Sequence, residues 1–262
     1  MITLVTAFFD INRAEKGDGR TIDEYKLWIK QTLQLNCHLY IVTEDKFADF
    51  FKDNRPTQYN TTIKIIDFKD LHYYKYYDRM SSILQSPEYK RRISHPTRVE
   101  CVLPEYNIIQ YSKFHCLKMA IDENPFQSDY FFWIDAGISR FFLDVNISNS
   151  YPGEKSKSII QNNPDTFYIQ KRHDLEHFPI DENFMWRSDN LLVGTMFGGS
   201  SKIIHLISEL LENVLTTIML DNNNVNNEQL ALAMVWKKNP ELFCLTNAYP
   251  GYHLLLFKML SS

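Results

Sequence analysis

The chain is poor in the features that announce the commonest functions. Only eight of its 262 residues are glycine. None of them builds the G-x-G-x-x-G turn of a dinucleotide site or the G-x-x-x-x-G-K-[ST] loop of a P-loop NTPase. No G-x-S-x-G elbow occurs, which removes the commonest hydrolase reading. The four cysteines, Cys37, Cys101, Cys116 and Cys244, stand far apart with no CxxC pair. That spacing argues against a zinc ribbon, a redox motif or a disulfide framework, and buried free thiols in a reducing compartment fit better. Strong charge is also missing. A net charge of −4 creates no field that would gather nucleic acid, so none is expected as a partner. Apolar runs are short, and none approaches the roughly 18 residues of a bilayer span. Met1 leads directly into Ile2–Phe9 with no basic region, and Asp10 closes the run too early for a signal peptide. The expectation is a cytoplasmic protein whose membrane association is at most peripheral.

What is present is an ordinary globular composition, 44% hydrophobic and 23% charged, with a high aromatic share of 14%. The length suits one large α/β domain with a well-buried core. Strand-like runs at Ile2–Phe9, Cys37–Thr43 and Thr62–Asp67 alternate with helical patterns at 21–35 and 47–51. That alternation opens a doubly wound sheet. Leu71–Arg92 is tyrosine-rich and helical in pattern, with a basic end at Lys90, Arg91 and Arg92, and Glu105–Glu123 reads as a second long helix stopped by Asn124-Pro125. Asp144–Asp165 reads as a surface excursion. Strands are expected at 167–170 and 191–197, the latter closing on a Gly198-Gly199-Ser200 turn. Helices at 202–220 and 228–237, a strand at 242–245 and a tail at 249–258 complete the pattern.

The most informative stretch is Phe131-Phe132-Trp133-Ile134-Asp135-Ala136-Gly137. An unbroken apolar run of this kind suits a strand buried on both faces of a sheet. Asp135 arrives where that strand ends, and ligands of open α/β sheets sit beyond the carboxyl ends of strands. A carboxylate there suits a divalent cation held against a phosphate, although Asp and Gly are also ordinary turn formers. Lys113, on the helix feeding this strand, is a candidate second cation to offset a diphosphate leaving group, or a solvated lysine. His173 and His177 have a metal-compatible spacing, but the HExxH arrangement is absent and Pro179 follows at once.

Four segments, Val5–Arg13, Glu105–Asn107 with Tyr111–Phe114, Trp133–Arg140 and Gly194–Gly199, together resemble the HtrL/YibB family, in order and over nearly the whole chain. That family is found in bacterial polysaccharide loci and looks like a set of GT-A-type glycosyltransferases. The resemblance implies a GT-A-like α/β fold, a mixed, mainly parallel sheet flanked by helices. It implies one domain over 1–262, with a nucleotide-binding half to about residue 140 and an acceptor half beyond. The implied activity is transfer of a sugar from a nucleotide-diphosphate donor, a UDP-sugar foremost, to a glycan, lipid or protein acceptor. A non-catalytic glycan- or nucleotide-binding protein and a sugar-phosphate nucleotidyltransferase stand as alternatives. Carried onto this chain, Thr6, Ala7, Phe8, Asp10 and Arg13 would hold the base and ribose. Asp135 would open the Asp-x-Asp motif that binds Mn²⁺ or Mg²⁺, with Gly137 standing where a second Asp is usual and His253 as a second ligand. Lys113 would face the diphosphate. Gly194–Gly199 would line the acceptor side, with Glu228 or Asp189 as the base that takes the acceptor's proton. Each carboxylate has a plainer reading as well, Glu228 as a first-turn residue favoured by the helix dipole.

Overall fold

A computed structural model describes residues 1–142, 145–247 and 252–262. In chain order the elements are β1 (Ile2–Phe8), α1 (Arg13–Lys16), α2 (Ile22–Thr32), β2 (His38–Thr43), α3 (Asp45–Asn54) and β3 (Thr61–Ile65). Then come α4 (Tyr77–Gln85), α5 (Pro87–Arg92), α6 (Pro104–Glu123), β4 (Tyr130–Ile134), α7 (Ser156–Gln161) and β5 (Phe167–Lys171). The chain closes with β6 (Leu192–Ser200), α8 (Ser201–Asn213), α9 (Glu228–Lys238), β7 (Phe243–Thr246) and α10 (Leu255–Ser261). All seven strands share one sheet in the order β3-β2-β1-β4-β6-β5-β7. β1 to β4 run parallel, β5 and β7 run the same way, and β6 alone opposes its neighbours. This is an α/β layout, a mixed and mainly parallel sheet flanked by helices.

The alternation of side chains along a strand assigns the two faces. Val5, Phe131 and Trp133 point into one apolar cluster with α6, α8 and α9, while Leu4, Phe8, Phe132 and Ile134 point into a second with α2, α3 and α10. The unbroken apolar run of β4 is therefore read on both faces, as its pattern predicts. Asp135, next in line, keeps the parity of Phe131 and Trp133 and falls on the α6 side. α6 itself is buried nearly all round, and its buried positions include Asn107, Gln110, Ser112 and Lys113. A helix enclosed on every side normally carries apolar residues throughout, so these polar ones ask for partners.

Several expectations change in detail. Leu71–Arg92 is divided into a 3₁₀ turn, α4 and α5. The break falls at Ser86, whose extended backbone (ψ 130°) is what a following Pro87 enforces. The excursion contains the short helix α7; its first residue, Asp144, lies outside the described residues, as do Tyr249, Pro250 and Gly251 of the tail. Gly198 and Gly199 are no turn. They sit inside β6, paired with Phe132 and Phe131. A Cβ on Gly198 would stand 2.2 Å from the Phe131 carbonyl oxygen, so glycine is required for backbone approach. Because β6 runs against β4, these glycines lie beside the third and second residues of β4, and it is Gly194 and Thr195 that reach the Lys113–Asp135 cluster. Finally, the helical stretch Ser201–Asn222 is long and apolar enough to cross a membrane, against the expectation of no such run. Half of its most apolar window is buried inside the protein, and Ile203, Ile204, Ile207, Leu211 and Leu215 belong to the α6-side core.

Candidate functional site

At the carboxyl edge of β1 and β4 a cleft of about 830 Å³, counted to its open mouth, is lined by residues from β1, α2, α6 and the β4 turn. Ala7, Phe8, Asp10, Arg13, Lys113, Asp135 and Gly137 all reach it. Thr6 does not. It shares the face of Leu4 and Phe8 two residues inside the strand edge and is 2% exposed, with Oγ1 unpartnered.

The centre of the site is a buried charge cluster. Lys113 Nζ donates to Glu228 Oε1 at 2.8 Å and to the Gly194 carbonyl at 3.0 Å, and lies 3.3 Å from Asp135 Oδ1. The side chains of Lys113 and Glu228 are 3% and 0% exposed, so Lys113 is no solvated lysine. Its ammonium also lies over the Trp133 ring at 5.6 Å, and Trp133 Nε1 donates to Asp135 Oδ1 at 2.9 Å. The Asp135 amide donates to the Thr195 carbonyl at 2.9 Å, pinning the turn to β6. The position of Lys113 follows from its neighbour. Phe114 stacks on Phe197 at 5.1 Å and on Phe167 at 5.8 Å, each such pair contributing about 0.5–1.5 kcal/mol beyond its buried area.

Burial works against charge on both partners. At Lys113 it is outweighed by the Asp135 and Glu228 carboxylates, and the pKa is raised. At Glu228 burial, helped by the like charge of Asp135, overcomes the pull of Lys113, and that pKa is raised too. Enclosed and already bonded to Lys113, Glu228 cannot meet an acceptor hydroxyl in the cleft. Its geometry is that of a residue that fixes Lys113. Gly194 permits the arrangement, since a Cβ there would lie 2.5 Å from Glu228 Oε1. Asp189, the other carboxylate considered as base, is 42% exposed, 3.9 Å from Arg187, and outside the cleft lining.

Around this centre the walls are aromatic and basic. Arg13 grips Asp18 with two bonds, 2.6 and 2.8 Å, donates to Tyr25 Oη at 2.6 Å and covers the Tyr106 ring at 4.8 Å. Burial opposes its charge, but Asp18 and the two tyrosines raise its pKa. Arg20 shares Asp18 at 3.4 Å. Asp10 accepts from the Asn12 amide and from Lys46. Arg140 lines the cleft with no acidic partner among the described residues, its guanidinium lying over Trp28 and Phe141. Tyr25, Tyr106, Arg20 and Arg140 were given no role by the sequence reading. Tyr106 and Arg140 stood inside the recognised segments, but nothing in one sequence shows which of their neighbours face inward.

The donor set does not fit a divalent-cation site. Asp135 Oδ1 already takes the Trp133 N–H and the Lys113 ammonium, which leaves one oxygen free. Gly137 is where a second carboxylate would stand, and it admits Trp28 at 3.2 Å from where a Cβ would be. His253, the other expected ligand, packs on Phe141 at 4.9 Å. Burial and the positive charges of Arg172 and Arg140 lower its pKa, and the same charges would repel a metal ion. Among the described residues no group of three His, Cys, Asp or Glu side chains converges. His173 and His177 are both exposed; His177 closes the 3₁₀ turn Leu175–His177 and His173 precedes it, so they share no α-helical face.

The profile of a family described as "Bacterial protein of unknown function (HtrL_YibB)" matches residues 1–262. Protein HtrL of Escherichia coli (strain K12) is 25% identical over 99% of this chain and 92% of its own length. Among solved structures, the apo form of mouse xyloside xylosyltransferase 1 superposes with a TM-score of 0.44 at 11% identity, covering 93% of this chain and 84% of that one.

Proposed function

The chain belongs to the HtrL/YibB family, and from that premise and its cleft we propose that it is a glycosyltransferase, moving a sugar from a nucleotide-diphosphate donor to a glycan, lipid or protein acceptor. The observation that carries this reading is a cleft at the carboxyl ends of β1 and β4, walled by aromatic rings and charged at its centre by Lys113 and Asp135. Such an edge is where open α/β sheets take their ligands. Phe8, Tyr25 and Tyr106 offer faces on which a base packs, and Arg13, held by Asp18, closes that end. Arg140, with no acidic partner among the described residues, and Arg20, which shares Asp18, would face a diphosphate there, while Lys113 is taken up by Glu228 and Asp135. Preorganised charge of this sort stabilises a leaving group without reorganisation during the reaction. Asp135, steadied by Trp133 and Lys113, keeps one free oxygen toward the cleft to orient a sugar hydroxyl. Lys113, with Glu228 behind it, holds that carboxylate in place. No divalent cation enters this account.

Thermal shifts and product release with a panel of UDP-, GDP- and CMP-sugars test the proposal. A stabilising shift together with release of UDP or GDP supports it, and release of CMP would replace the diphosphate donor by a monophosphate one. Asp135→Ala should abolish that release while circular dichroism shows the fold retained; unchanged turnover would remove Asp135 from the mechanism. Binding without release would favour a non-catalytic glycan- or nucleotide-binding protein. A requirement for a nucleoside triphosphate would favour a nucleotidyltransferase.

A further inference from the structure

Just beside the cleft, on the β5 side of Asp135, the charge balance is incomplete. Arg172 follows β5, two strands from Asp135 across the same sheet edge, and Arg140 follows β4. Phe141 touches both the Arg140 guanidinium, at 4.7 Å, and the His253 ring, at 4.9 Å. Gln170, two residues before Arg172, bonds the main chain on either side of His253, at Tyr252 and Leu255. Both guanidiniums act on the His253 charge. Each keeps a buried Nε–H without a hydrogen-bond partner. Neither has an acidic partner among the described residues, in contrast to Arg13, Arg20 and Lys113, which are all matched. Burial, and after it the charge of Arg98, lowers the pKa of Arg172. A partly buried cation is costly unless something compensates it. Fixed, unmatched guanidiniums with free N–H groups fit an oxyanion, which accepts their forked donors in pairs. The main chain anchors the site, since Thr195 Oγ1 donates to the His253 carbonyl at 3.1 Å. The His253 ring adds one further N–H donor.

We propose that Arg140, Arg172 and His253 form a binding subsite for a phosphate-type oxyanion that needs no metal ion. The group is carried either by the donor, as its diphosphate, or by the acceptor, as a phosphate substituent. The existence of the subsite stands on the charges alone; only the identity of the carrier rests on the proposed sugar transfer.

The experiment is calorimetric titration of the full chain with inorganic phosphate and pyrophosphate, in EDTA, for the native protein, Arg140→Gln and Arg172→Gln. Binding to the native protein, weakened at least roughly tenfold in each variant, is the expected result. Repeating the titration at saturating UDP separates the carriers. Loss of phosphate binding assigns the oxyanion to the donor, and retained binding assigns it to the acceptor. If UDP itself fails to bind while phosphate does, the functional reading falls and the subsite remains. Thermal melts guard against a merely structural effect. Arg172→Gln should melt no lower than the native protein without phosphate, and phosphate should raise the native midpoint but not the variant's. No phosphate or pyrophosphate binding at millimolar concentration, binding equal in all three proteins, or a variant that melts lower would each overturn the proposal.

Discussion

Replacing Lys113 by methionine isolates the buried charge cluster. The substitution keeps the length of the side chain and removes its ammonium, which now bonds Glu228 at 2.8 Å and faces Asp135 at 3.3 Å. Glu228, with no exposed side-chain surface, would then be an uncompensated buried carboxylate. Breaking a buried pair from one side costs about 3–5 kcal/mol. For a chain of this size that corresponds to a fall of roughly 6–20 °C in melting temperature. The deficit should also depend on pH. Glu228 already has a raised pKa, because burial outweighs Lys113, and without Lys113 it rises further. A carboxyl whose folded pKa lies above its unfolded one favours folding while protonated and loses that contribution as pH climbs through the folded value. Lys113→Met should therefore lose more at pH 8 than at pH 5. Lys113→Met/Glu228→Gln should recover most of the loss, because removing both charges leaves no orphan. Melts followed by circular dichroism at both pH values decide the matter. A single variant that loses under about 2 °C, or a double variant no better than the single, would refute the pairing.

Two further outcomes probe the surroundings of the site and an ion-pair cluster on α8. Gly194→Ala would press a Cβ against Glu228 Oε1 and Gln229 Cγ. It should cost about 1–3 kcal/mol in urea melts, and a neutral substitution would mean that α9 is free to shift. Glu212 on α8 accepts from Lys75 at 2.8 Å and from Tyr76 at 3.0 Å, and lies 2.9 Å from His72 Nε2. Burial works against its charge, but these partners hold its pKa down to about 2. A lowered carboxylate stabilises above its unfolded pKa and loses that as pH falls. The stability deficit of Glu212→Gln should thus be full at neutral pH and shrink from about pH 4.5 toward pH 2; a deficit that stays constant over that range would contradict the assignment.

Much of this architecture could be read from the residue pattern because local rules and the fold agree. The unbroken run Phe131–Ile134 announced a doubly buried strand, and the carboxylate closing it stands at a cleft, as strand-end position implied. Lys113 was singled out, though its burial was not foreseeable. A lysine inside an apolar helical pattern reads as solvated unless the positions of Glu228 and Asp135 are known, 115 residues away in the first case. Strand direction was the main blind spot. Side-chain alternation has no sense of polarity, so the pattern does not show that β6 is reversed; of the Gly194–Gly199 segment that the resemblance sets on the acceptor side, the first residues stand near Asp135 and Gly198 and Gly199 fall back beside Phe132 and Phe131. Thr6 illustrates the same limit on a smaller scale. Its place in a recognised segment says nothing about which face of β1 it occupies. Arg140 and Arg172 escaped notice because unmatched charge is visible only when every partner has been placed.

The most direct measurement is a crystal structure of the protein with a bound sugar nucleotide. The account predicts the base against Phe8, Tyr25 and Tyr106, the diphosphate beside Arg140 and Arg20, and the sugar within hydrogen-bond reach of Asp135. A nucleotide bound elsewhere, or an Asp135 carboxylate turned away from it into the protein interior, would contradict the account.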